Sequence, residues 1–135
     1  MSSITYLLDT NILIEFFAKK ETTLALLPTL KKTGTLATSL LSVAEIRMGW
    51  SGKDADVYLP LLYDLFDTHG ITKAIAQQAG EWRREYKEQG ITLSSIDTLI
   101  AATAYCGQMC LVTRNVKHFP MPQLQVYRDA VMDVS

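Results

Sequence analysis

The chain has 135 residues, 48% hydrophobic and 20% charged, with a formal net charge of −1. That length allows one domain with a real core and no need of staples. The charge balance argues against a protein held to nucleic acid by bulk charge alone, although a local basic patch stays compatible with it. In chain order, Ile4–Leu8 reads as a buried strand, and Asn11–Lys20 as a helix whose final lysines suit its dipole. Thr22–Lys32 reads as a helix despite Pro28, with Gly34 as its stop, followed by a short buried strand at Thr35–Thr38. The run LLSVAEIRMGW reads as a helix closing at Gly49. Asp54–Phe66 and Thr72–Gln89 read as two more, separated by a short piece around Gly70 and Ile71. SSIDTLIAATAYC is almost wholly apolar and is expected to be a central helix; MCLVT is the next buried strand, NVKHF a turn or short helix, and LQVY a last short strand.

This alternation predicts an α/β fold with a mostly parallel sheet, in a single domain over residues 1–135. The first apolar run is too short for a signal peptide and has no basic residue before it, and no run approaches a membrane span. The expected compartment is the cytoplasm. Cys106 and Cys110, with only His69 and His118 elsewhere, offer no zinc-ligand spacing, so both are expected to be buried thiols.

The informative feature is where charge is missing. Glu45 is the only charged residue from Thr33 to Ile46, and Asp97 the only one from Ser94 to Thr113; Ile4–Phe17 holds only Asp9 and Glu15. A carboxylate in apolar surroundings is costly unless something compensates it. Capping is one account: Asp9 or Asn11 at a helix start, Ser42–Glu45 as a capping box, Ser94–Asp97 as its looser form. The other is convergence on a divalent cation, since hard oxygen ligands suit magnesium or manganese. In an open parallel sheet, ligands sit outside the carboxyl ends of the strands, which is where Asp9 and Asn115 follow strands and Glu45 follows one within a turn or two.

YLLDTNILIE, SVAEIRMG, SSIDTLIAATA and LVTRNVKHF, in that order and at these separations, resemble a PIN-domain ribonuclease, and more narrowly the VapC toxins of toxin–antitoxin pairs. The resemblance covers essentially the whole chain. It implies a three-layer α/β/α fold with a short central sheet and a metal pocket on Asp9, Glu45 and Asp97. It also implies Mg2+ (or Mn2+) as cofactor, hydrolysis of RNA phosphodiester bonds, a cognate antitoxin as inhibitor and a homodimer. Thr113 and Asn115 would lie near the metal. Where the family often has a further acid, this chain has Asn115 and His118, which leaves three firm acids.

Asp9 and Asp97 are expected to bind the cation directly, with Glu45 binding it or acting through water. Thr10, Asn11, Ser42 and Thr113 are candidates to orient the acids. Arg47 and Arg114 flank the acidic motifs as candidate RNA contacts. Arg83, Arg84 and Lys87 are candidates to extend that contact, or else a solvated face paired with Glu81, Glu85 and Glu88. Trp50, Trp82 and Tyr86 are candidates to stack on bases but are expected to pack at helix contacts, and His118 is expected to be structural or at the surface rather than catalytic. Two rivals compete with the nuclease: a catalytically weak or inactive PIN-like module that binds RNA or protein, and a phosphatase with Asp9 as nucleophile. The second wants another acid two residues on, where Asn11 stands, and a buried lysine that no apolar segment supplies.

Overall fold

The computed structural model describes residues 3–128. Five strands form one sheet in the order β3-β2-β1-β4-β5: β1 (Ile4–Leu8), β2 (Gly34–Ser39), β3 (Asp67–His69), β4 (Cys110–Val112) and β5 (Gln125–Val126). Every pairing is parallel, with Leu8 opposite Thr38 on one side and Val112 on the other. The helices are α1 (Thr10–Phe17), α2 (Glu21–Lys31), α3 (Leu40–Met48), α4 (Gly52–Leu65), α5 (Lys73–Glu88) and α6 (Ser95–Cys106), with a 3-10 turn at Val116–His118.

The strand period of two divides the core between the faces of the sheet. Tyr6, Leu8, Leu36 and Val112 pack with Ile12 and Leu13 of α1, Leu26, Leu27 and Leu30 of α2, and Val43, Ile46 and Leu62 of α3 and α4. Leu7, Ala37 and Leu111 face the other way, onto Ile75, Ala79 and Trp82 of α5 and Ile100–Ala102 of α6. The result is the expected three-layer α/β/α arrangement, with α6 buried at its centre as its composition implied. Among the described residues no helix is long and apolar enough to cross a membrane.

Several local expectations need correction. Helix α1 stops at Phe17, because Lys19 takes a left-handed conformation (φ 60°) and the chain turns directly into α2. The lysines therefore do not sit on its last turn; Lys20 precedes α2 and its Nζ meets Glu15 Oε2 at 3.3 Å. Strand β3 was not foreseen: Asp67-Thr68-His69 is a polar edge segment, recruited by main-chain pairing with Ala37–Ser39 rather than by apolar side chains. Cys106 is exposed and Cys110 half-buried, since α6 ends at Cys106 and its last turn leaves the core.

Gly34 does not stop α2, which ends at Lys31; it opens β2 opposite Ile4. A Cβ there would collide with the Ile4 carbonyl and come within 2.9 Å of the Tyr6 ring. Backbone cannot yield as a side-chain tip can, so Gly34→Ala is expected to cost at least about 1–3 kcal/mol, read from urea denaturation. Unchanged stability would mean that β1 and β2 can separate freely at this point.

Candidate active site

Asp9 leaves β1 at the carboxyl end of the sheet, its N–H donating to the Val112 carbonyl of β4 (2.9 Å). It is 5% exposed. It is also the N-cap of α1, as the capping account expects. Oδ1 accepts from the Thr10 N–H (2.8 Å), and Oδ2 accepts from the Thr113 hydroxyl (2.7 Å). Thr113 is fully buried and takes a second bond, from the Asn115 N–H (3.0 Å). Asn115 thus supports the site through its backbone, while its side chain is exposed.

Glu45 is not part of a capping box. The N-cap of α3 is Ser39, whose hydroxyl accepts from the Leu41 N–H, so Ser42 and Glu45 lie inside the helix. Thr10 Oγ1 lies 2.5 Å from Glu45 Oε1 and 2.9 Å from Ser42 Oγ. A hydroxyl has one proton and a carboxylate only accepts, so Thr10 gives its proton to Glu45 and receives one from buried Ser42. Asp97 sits in the first turn of α6, where Ser94 caps its N–H (3.3 Å) as the looser capping form predicted. Its carboxylate does something else: Oδ2 lies 3.5 Å from Nδ1 of the largely exposed His118. His118 is therefore placed beside an acid of the site, a position that its turn-like context, just before Phe119 and Pro120, did not signal.

Two of the three acids, Asp9 and Asp97, have raised pKa values. Burial pushes the Asp9 carboxyl above its ordinary value against the pull of its two hydrogen bonds, and the charges of Asp97 and Glu45 push the same way. Burial also raises Asp97; His118 opposes this and Glu45 adds to it. The donor set fits a hard divalent cation: the ion pairs of the described residues join none of these carboxylates to a lysine or arginine, Asp9 and Glu45 are held by hydroxyls and a backbone N–H, and Asp97 lies beside His118. As they stand, among the described residues no group of three acids, imidazoles or thiols is gathered closely enough to hold an ion, Glu45 being turned to Thr10 and Asp97 to His118.

The elevated Asp9 value has a consequence for stability. The folded state holds this proton more tightly than the unfolded chain, so stability from this group is full below the unfolded value, near 3.8, and is lost as pH rises through the folded value. Asp9→Asn removes that loss while keeping a good cap. In EDTA at neutral pH the variant is expected to melt above the parent, with the gap closing in acid. A lower melting point at neutral pH would mean that the Thr10 and Thr113 bonds outweigh burial.

The arginines flanking the motifs both have partners within the protein. Arg114 is a buried clasp: its Nε meets Glu15 Oε1 at 3.0 Å, its guanidinium reaches Thr22 Oγ1 (3.3 Å), and its side chain is 8% exposed. Arg47 donates to the Trp50 carbonyl (2.9 Å) at the end of its own helix. Asn11 accepts from the Arg114 N–H (3.4 Å), and its buried Nδ2 has no partner among the described residues. Trp50 packs edge-on to Phe17 (5.1 Å) and tilted on Tyr58 (5.3 Å), as expected of a helix contact.

The ribonuclease VapC10 of Mycobacterium tuberculosis is 34% identical over 115 residues, which are 85% of this chain and 86% of that protein. The structure of VapBC2 from Rickettsia felis bound to a fragment of its promoter superposes with a TM-score of 0.82 at 26% identity, covering 92% of this chain and 98% of that one. A toxin–antitoxin complex from Klebsiella pneumoniae gives a TM-score of 0.74 at 28% identity, covering 92% and 99%. Residues 6–120 match the family described as PIN domain, the span that runs from β1 through both acid-bearing helices to the 3-10 turn, and the protein belongs to that family.

Proposed function

We infer that this chain is an endoribonuclease, the toxin of a toxin–antitoxin pair, using a divalent cation held by Asp9, Asp97 and Glu45. What supports the reading is that buried Asp9, at the carboxyl end of β1 in a parallel sheet, lies near enough to Asp97 and Glu45 for their charges to raise its pKa. Uncompensated, that proximity only costs stability; a cation would turn the cost into affinity. When bound, Mg2+ or Mn2+ supplies activation of water and relief of charge on the phosphoryl oxygens. The chain's own contribution is orientation. Thr113 and the Thr10 N–H fix both oxygens of Asp9, and Thr10 with Ser42 fixes Glu45. His118 lies beside the Asp97 carboxylate and opposes the rise that burial gives its pKa. Asn11, two residues on from Asp9, brings a buried, unsatisfied amide N–H that could serve a ligand as donor.

The ribonuclease name of the M. tuberculosis relative and the complexes in which the neighbouring structures occur support the activity and a cognate antitoxin as inhibitor. The same reading places the protein in the cytoplasm as a homodimer. Val57, Leu61 and Tyr63 of α4, together with Leu24 of α2, are 41–63% exposed, apolar surface that a second copy would cover.

The test is incubation of the purified protein, free of partner, with total cellular RNA in EDTA, magnesium and manganese. Discrete cleavage in the metal arms alone is expected. RNA bound but uncut in every arm would replace the enzyme with a non-cutting RNA-binding module.

A further inference from the structure

A site of three carboxylates repels the polyanion it is meant to cut, so cations elsewhere must hold the RNA. Of the two arginines nearest the acidic motifs in sequence, Arg114 is buried against Glu15 and Arg47 bonds its own helix end. Another place on the surface gathers cations in a concavity. A pocket of about 530 Å³ is lined by Arg83, Arg84 and Lys87 of α5 with Thr92 and Leu93 of the turn leading into α6, and among the described residues no acid lines it. In a chain with 13 cations against 14 acids, such segregation does not follow from composition.

The solvated-face account of these residues is weakened by the ion pairs. Arg84 meets Glu88 at 3.3 Å, but both are highly exposed, at 83% and 65%, and such a pair contributes little. The ion pairs of the described residues include none with Arg83 or Lys87. These two are one helical turn apart on the same flank of α5. The neighbouring positions Trp82, which is buried, and Tyr86 pack into the core and fix the helix beneath them.

We propose that this pocket is an RNA-backbone cradle, in which Arg83 and Lys87, with the Thr92 hydroxyl, bind phosphodiester groups of the single strand being presented to the acids. Guanidinium and ammonium donors without a competing carboxylate suit phosphate, and a fork on Arg83 can meet two oxygens at once. The placement suits the task. Thr92 is five residues from Asp97, so at most about 18 Å of chain separates the pocket's edge from the acid. From Ser94 onward that chain is the first turn of α6, which holds the spacing fixed.

The proposal rests on the ribonuclease reading, and one experiment separates the two. Full-length protein is titrated with a short, unstructured, fluorescently labelled RNA in EDTA across a salt series, as wild type, Arg83→Ala/Lys87→Ala, and a control pair Lys31→Ala/Lys32→Ala on α2. All four positions are exposed, so the variants should fold; Arg83→Gln/Lys87→Gln replaces the alanine pair if its melting point falls. Loss of two single-strand phosphate contacts is expected to make the slope of log K against log salt shallower by about 1.4 and to weaken low-salt binding at least about 10-fold. The control pair should leave both unchanged. In the metal-containing cleavage assay the pocket variant should raise KM and spare kcat. Equal affinity and slope in wild type and pocket variant would overturn the cradle. So would a variant that keeps its RNA but loses an acidic protein partner or duplex DNA, which would reassign the pocket. Wild type that binds RNA through these residues yet cuts none would keep the cradle and remove the nuclease. Wild type that cuts, and is matched by the variant in KM, would do the reverse.

Discussion

Asp97→Asn is expected to lower metal-dependent RNA cleavage by well over about 100-fold while the protein remains folded. The scale follows from what surrounds metal ligands: loss of a residue that only orients one commonly costs about 10–100-fold, and Asp97 is proposed as a ligand itself. Thr113→Val supplies the orienting comparison within the same site, since it removes the donor to Asp9 Oδ2 without adding charge. Its cost should fall within about 10–100-fold, below that of Asp97→Asn. Asp97→Asn keeps the Ser94 cap, which acts on the backbone N–H and not on the carboxylate. Cleavage by the Asn variant within a few-fold of wild type would remove Asp97 from the site and leave it as a partner of His118.

Much of this arrangement could be read from the chain, and the reasons are particular. Ile4–Leu8 is the observed β1: its Tyr6, Leu7 and Leu8 are buried on both faces of the sheet, and the polar triplet that follows marks where the strand ends. The three acids were conspicuous because each is isolated in a segment that the core otherwise claims, and the charges of Asp97 and Glu45 act on buried Asp9. What local pattern could not supply was partnership at long range. Thr10 reaches Glu45 across 35 residues, and Arg114 reaches Glu15 across 99, so the partner of a motif side chain lies in a remote segment. Strand β3 escaped for a related reason: an edge strand is selected by the free main-chain groups of β2, and Asp67-Thr68-His69 has no periodicity to show. Ser39 rather than Ser42 capping α3 is a three-residue shift in a helix boundary, yet it moves Glu45 from a cap to the interior of the site.

Arg114→Ala should cost about 3 kcal/mol of folding stability, near the lower end of what breaking a buried ion pair costs, because Glu15 keeps other partners. Glu15 is 18% exposed and is held by Thr23 Oγ1 (2.6 Å) and Lys20 as well as by Arg114. The clasp joins α1, the start of α2 and the end of β4, so its loss loosens the strand end from which Thr113 reaches Asp9. The pH dependence has a definite sign. Burial alone would raise Glu15, but the hydrogen bonds from Thr23 and Arg114 and the charge of Arg114 outweigh it, so its pKa lies below the ordinary 4.5. The folded state therefore releases this proton more readily than the unfolded chain. The associated stability is present above the unfolded value and is lost as pH falls through the folded one. Urea midpoints between neutral pH and acid should converge for wild type and Arg114→Ala, and a double-mutant cycle with Glu15→Gln should return a coupling of about 1–3 kcal/mol. The same variants decide what Arg114 is for. As a clasp, its removal lowers activity only in step with the folded fraction, and RNA affinity of the folded protein stays put. A stable Arg114→Ala protein with weakened RNA binding would instead make it a substrate contact, with the ion pair to Glu15 as the resting position of that side chain.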